Sequence, residues 1–279
     1  MAAGVRRGLT IAAGALLVFA VGAGFGLALV KRVETGRWQL PRRADVERLV
    51  QAPVTLVTGP PRPTPARIIY LARRPTQLTP AEQDDAPTGA SSVLAATARK
   101  PVLSPGWTGS DRGWTEVVRC VRALFAPFAV EVTDRKPSTA EHALVVVGGR
   151  PGDLGVADRR IGGLAPFNGQ VIARPVVFAF ARQLGNQPRA VCETIGMEVA
   201  HAYGLDHAYE CRDVMTYRKP CGPKAFTDLD ARCGERAARA CAGGAATQNS
   251  FQRLLAVLGP SPTTVEAPPA RPGAAAPAR

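Results

Sequence analysis

The segment Glu193-Thr194-Ile195-Gly196-Met197-Glu198-Val199-Ala200-His201-Ala202-Tyr203-Gly204-Leu205-Asp206-His207 brings together the residue types of acid–base and metal chemistry. On a helix ending near Gly204, Met197 and His201 lie one turn apart on one face. A turn at Gly204 then folds His207 back beside His201. Two neutral imidazoles can bind zinc, and Glu198 is placed to take a proton from a metal-activated water. A catalytic zinc requires a third protein ligand. The thioether of Met197 is soft and neutral, better suited to packing or copper chemistry. The competing reading of the two histidines is a structural core that holds no zinc.

Downstream, Val214-Met215-Thr216-Tyr217 adds a second motif. Together the two segments resemble the metzincin clan of zinc endopeptidases, whose pattern HExxHxxGxxH is followed by a methionine-containing turn. Glu198 matches the clan's general base, His201 and His207 match its second and third zinc ligands, and Gly204 matches the glycine that bends the chain between them. Met215 looks like the residue beneath the metal. Tyr217 sits where some astacin-like and serralysin-like enzymes carry a tyrosine ligand. Met197 departs from the pattern by standing in the place of the first ligand. A completed site then needs Met197 itself or another donor: Tyr217, Glu193 or His142. Glu193 lies two helical turns before His201, roughly 12 Å along the axis, and His142 begins a strand, which leaves Tyr217 as the better candidate.

The resemblance implies an α+β fold, an α/β sandwich whose mixed, mostly parallel sheet ends in an antiparallel edge strand beside an active-site helix and a Met-turn. It implies a zinc metalloendopeptidase acting on a peptide or protein substrate, with Glu198 as base and Tyr217 steadying the oxyanion. The alternative is a catalytically inactive peptide-binding or cell-envelope interaction domain.

The elements that must position these residues are legible in the apolar spacing. Trp114, Val117, Val118, Val121 and Leu124 recur at three- and four-residue steps, which predicts a helix to Phe125 stopped by Pro127. A second helix is predicted over Arg189–Tyr203, with Pro188 in its first turn and Gly204 as its stop, and a terminal one over Gln248–Leu258. Strands are expected at Arg67–Leu71, Ala129–Thr133, Ala143–Val147 and Val171–Phe180. In the last, Pro175 suggests an edge position or a bulge, and by resemblance this is the edge that receives substrate. Residues 75–111 read as a long polar loop and 148–170 as glycine-rich turns without a phosphate motif.

The six cysteines, Cys120, Cys192, Cys211, Cys221, Cys233 and Cys241, lack the close CxxC pairs of a zinc knuckle. An even number favours up to three disulfides, and Cys211–Cys221 and Cys233–Cys241 are among the possible local links. Cys192 lacks the His-Asn/Asp company of a thiol nucleophile.

The uncharged run from Gly8 to Val30 lies between Arg6-Arg7 and Lys31-Arg32, and as a helix it would reach roughly 34 Å. It predicts an N-terminal membrane anchor with an exported domain in the cell envelope, or alternatively a cleaved signal and secretion. The expected organisation is an anchor or signal over 1–32, a proline-rich linker or pro-segment over 33–65, a folded domain over 66–258 and a disordered tail over 259–279. In a chain of 279 residues with 46% apolar composition, wholesale disorder is excluded. The net charge of +13 is uneven, +8 over residues 1–110 and +5 over 111–279, which indicates no continuous basic groove, and aromatics are only 6%, so nucleic-acid binding on stacking platforms is disfavoured.

Overall fold

The run Ala-Leu-Val-Val-Val at 143–147 is β-branched and apolar on both faces, and all five residues are buried. Such a strand belongs at the centre of a parallel sheet covered on both sides. In the computed structural model, which describes residues 19–22, 25–28 and 64–262, it does so.

The chain divides into two units, Met1–Pro60 and Pro61–Arg279. In the first, β1 (Phe19–Gly22) and β2 (Phe25–Ala28) pair antiparallel. This pairing overturns the single helix expected across Gly8–Val30, and among the described residues no helix is long and apolar enough to cross a membrane. The multiple glycines of the run weaken a helix at that point. The expected membrane partner and the membrane-anchored or envelope location that followed from that helix lose their support. The rest of the run, the signal-cleavage alternative, nearly all of the 33–65 linker and the tail beyond residue 262 lie outside the described residues.

In the second unit a five-stranded sheet has the order β7-β3-β8-β10-β9, where β3 is Ile68–Ala72, β7 Glu131–Thr133, β8 Ala143–Val147, β9 Gly163–Leu164 and β10 Val176–Ala179. The strands β7, β3, β8 and β10 run parallel, and β9 alone is antiparallel. The mixed α+β class and mostly parallel sheet are therefore as expected. The edge is not: β10 lies inside the sheet between β8 and β9, and the two-residue β9 forms the edge. Pro175 misleads because it immediately precedes β10, where its missing N–H costs no ladder bond.

Side-chain alternation divides the core between the two faces of the sheet. Ile69, Leu71, Val145, Val147, Val177 and Ala179 join one buried cluster with two long helices, α2 (Asp111–Phe125) and α3 (Pro188–Ala202). Leu144, Val146, Val176 and Phe178 face a second cluster with Leu78, Leu94 and Leu154. The latter come from the stretches expected to be loops. Residues 75–111 instead build β4 (Thr76–Pro80), β5 (Ala90–Ser91), β6 (Val102–Ser104) and a short helix, α1 (Ser92–Thr97), and Pro151–Leu154 forms one turn of 3-10 helix. Asp84 ties the layers together by accepting from the amides of Ser92 at 2.6 Å and Val176 at 2.7 Å.

The helix α2 begins where Ser110 caps it by accepting from Gly113 N at 3.1 Å, and it buries Trp114, Val117, Val118, Val121 and Phe125 along one stripe. Pro188 opens α3, which is buried almost continuously from Val191 to Ala202. The disulfide Cys120–Cys192 fastens these helices together, while Cys211–Cys221 and Cys233–Cys241 close short loops. All six cysteines are thus structural. A terminal helix, α4 (Ser250–Leu258), is capped by Asn249, which accepts from Gln252 N.

Candidate functional site

Burial of α3 sets the chemistry of every polar group it carries. Met197, Glu198 and His201 are 7, 5 and 7% exposed, and Met197 packs into the apolar cluster around the helix. At the helix end Gly204 adopts φ +86°, and a Cβ there would come within 2.9 Å of the Gly169 carbonyl. Only glycine satisfies both constraints without strain. The reversal brings His207 back so that its ring lies 4.4 Å from that of His201, nearly perpendicular to it.

The Nδ1 of His201 donates to the Leu205 carbonyl at 2.7 Å, which fixes the tautomer and leaves Nε2 as an acceptor. Burial, with His207 nearby, holds the His201 pKa down to about 4, so the ring is neutral. Burial also lowers the pKa of His207, against the opposing pull of Glu235 and Asp206. Its Nε2 is 3.9 Å from Glu235, and its ring lies 4.4 Å from that of Tyr217. Tyr217 is half exposed, and burial, reinforced by Glu198 and Glu235, raises its phenol to about 12.

Glu198 is the least ordinary group. Burial pushes its carboxyl up to about 8, so at neutral pH it is mostly a neutral O–H donor rather than a carboxylate base. On one side β9 crosses α3 so closely that a Cβ on Gly163 would lie 2.6 Å from the Glu198 Cγ. Nearby, Phe167 is 41% exposed and meets the His201 ring edge-on at 5.4 Å.

The segment after the turn is held from below. Met215 is fully buried. Its N–H donates to Asp213 at 2.9 Å, and the same carboxylate accepts from Thr227 N, Thr227 Oγ1 and Ser250 Oγ. Asp206 anchors the other side by accepting from His207 N at 2.7 Å, Ala242 N at 2.8 Å and both terminal nitrogens of Arg239. Burial alone would raise the Asp206 pKa, but the Arg239 and amide hydrogen bonds outweigh it and hold the carboxyl at about 2. A cleft of about 710 Å³ opens beside Tyr217 between Glu235 and Arg239.

The expectation of zinc is overturned. Among the described residues no group of three or more His, Cys, Asp or Glu side chains is placed to hold a metal ion. The zinc cofactor and the metalloendopeptidase activity built on it go with that ligand set. The physical reason is Met197: its apolar side chain joins the core where a third imidazole would be needed. Of the alternative donors, Tyr217 does lie beside His207, their ring centres 4.4 Å apart, but it is a neutral phenol with its pKa pushed up to about 12, and the other two are engaged elsewhere. His142 is buried with Nδ1 3.0 Å from the Thr139 carbonyl, and Glu193 pairs with Arg189 at 2.8 Å.

Residues that the sequence pattern did not single out include Gly163, Phe167, Asp213, Glu235 and Arg239. Only Asp206, immediately before His207, had a local signal. The two short cysteine spacings bracket the loops carrying Tyr217 and Arg239, and that is the nearest sequence clue to them. Compared with protein-family models, curated proteins and solved structures, the chain matches none.

Proposed function

We propose that this domain is a catalytically silent peptide-binding module with a metzincin-like architecture, in which a peptide adds to β9 as an extended strand. The observation that carries the reading is the outer edge of β9. Among the described residues β9 pairs only with β10, and Phe180 N donates to Gly162 O at 2.8 Å. The alternation of an antiparallel ladder then turns the Leu164 backbone groups toward β10 and those of Gly163 and Ala165 outward. Gly163 is itself buried, so an extended peptide would start from the partly exposed Ala165 groups by strand addition, with side-chain contacts supplying selectivity.

The floor beside that edge suits binding rather than hydrolysis. A protonated Glu198 donates to a peptide carbonyl instead of deprotonating water. Neutral His201 supplies an acceptor at Nε2, and exposed Phe167 and Tyr217 supply aromatic surface. The resemblance of 197–217 to the metzincin motifs, together with the chain order of strand, helix, two strands, antiparallel edge β9, parallel strand β10, α3 and the Met215 segment, supports the architecture.

The test is a library of extended peptides titrated onto the full chain with and without a chelator. Saturable binding indifferent to chelator, weakened at least tenfold by Ala165→Pro, which removes an outward N–H, is the expected result. Absence of binding across the library, or cleavage that depends on Glu198, would overturn it.

A further inference from the structure

The rings that floor the site lead from Phe167, close to β9, to a positively charged loop. Phe167 meets His201 at 5.4 Å, His201 meets His207 at 4.4 Å, and His207 meets Tyr217 at 4.4 Å. An extended chain of at most about four residues covers that path. Immediately after Tyr217 come Arg218 and Lys219, both exposed. The Cys211–Cys221 disulfide closes their loop, and Thr216 pins its tip: the hydroxyl accepts from Arg218 N at 3.2 Å and the carbonyl from Lys224 Nζ at 3.1 Å. The Arg218 guanidinium lies 4.7 Å from the centre of the Tyr209 ring, a contact that orients the cation without neutralising it. Arg236, also exposed, lines the cleft beside Tyr217.

The acidic groups around the site are already answered. Arg239 takes Glu235 at 2.8 Å and Asp206 at 2.6 Å. Asp158, whose charge Tyr217 feels, pairs with Arg160 at 3.1 Å. At the root of the loop Glu210 accepts from the Arg212 amide at 3.4 Å, beside that residue's own cation. Glu198 is buried and mostly protonated at neutral pH. Among the described residues Arg218, Lys219 and Arg236 form no ion pair. The mouth of the site therefore carries positive charge that no neighbouring carboxylate offsets.

We infer that the peptide taken by this site is acidic, carrying Asp or Glu next to the segment that pairs with β9, with those carboxylates at Arg218 and Lys219. The inference rests on the strand-addition reading and adds the chemical class of the peptide. A guanidinium already held against a ring gives up little freedom on meeting a carboxylate. Neutral flanks gain nothing there, and basic flanks are repelled.

The test is fluorescence-anisotropy titration of the full chain with three matched extended peptides. They share one central segment and differ only in the residue pair at each end: Asp-Asp, Ser-Ser or Lys-Lys. The Asp-Asp form is expected to bind at least about tenfold tighter than the Lys-Lys form, an advantage that shrinks as salt rises from about 0.05 to 0.3 M. Arg218→Gln together with Lys219→Gln is expected to weaken the Asp-Asp form at least about fivefold and to change the Ser-Ser form less than about twofold. Both side chains are exposed, and the Ser-Ser titration reports that the fold survives the change. Equal affinity for the three peptides, each still weakened by Ala165→Pro, would overturn the charge preference and leave strand addition standing. An acidic preference untouched by the double substitution would overturn the assignment to this loop. Failure of all three to bind would take down strand addition and the inference with it.

Discussion

Gly163 lies against Glu198 with no room for a side chain: a Cβ at residue 163 would fall 2.6 Å from the Glu198 Cγ and 2.8 Å from its Oε1, with Thr194 Cγ2 also at 2.6 Å. Edge strand and helix are therefore packed backbone to side chain over Glu198. Gly163→Ala is expected to cost about 1–3 kcal/mol through overpacking and to weaken peptide binding by displacing β9. Urea unfolding and peptide titration of the same variant would check both effects. Unchanged stability would sink the packing argument.

The protonation of Glu198 has a consequence for pH. Its pKa is raised from 4.5 to about 8 in the folded chain, so between those values the folded chain holds a proton that the unfolded chain has released. Stability therefore falls as pH rises through that window. His201, lowered from 6.5 to about 4, acts in the opposite sense below pH 6.5, and His207 shifts in the same direction as His201. The slopes oppose each other at acid pH, and the histidine slopes fade as pH rises past 6.5, leaving Glu198 dominant. Unfolding free energy is expected to drop by about 1 kcal/mol from pH 6.5 to 8, and Glu198→Gln should abolish that drop. A variant with the same pH profile as the native chain would show that Glu198 ionises normally.

Asp213 is 1% exposed and accepts from Met215, Thr227 and Ser250. Its carboxylate thus joins the Met215 turn, the strap after Phe226 and the start of α4. Asp213→Ala leaves several buried donors without a partner and is expected to cost about 3 kcal/mol or more. Chemical denaturation would read the loss, and a cost below about 0.5 kcal/mol would contradict the network.

Met197 is expected to decide metal binding by itself. Elemental mass spectrometry on the native chain, purified without a metal-affinity tag, should find no stoichiometric zinc. Met197→His would add a third imidazole one helical turn from His201, and zinc affinity is expected to rise at least about tenfold. One zinc per native chain, lost on His201→Ala, would show that the two histidines hold metal despite Met197.

Local patterns carried a good part of this structure in the sequence. The three- and four-residue spacing of Trp114, Val117, Val118 and Val121 specifies α2, and the apolar run 143–147 specifies β8, because periodic burial is a short-range property of the chain. The approach of His201 and His207 was legible for the same reason: a helix end and one glycine at φ +86° suffice. What the folded chain alone decided depends on segments distant in sequence. The edge strand is two residues long and has no periodicity to detect, while β10 looked like an edge because of Pro175. The grip of Asp206 on Arg239 and of Asp213 on Ser250 spans 33 and 37 residues. The neutral state of Glu198 and the absence of a metal-binding set among the described residues depend on which groups surround each side chain after packing. Burial sums contributions from the whole fold, and no local spacing encodes that sum.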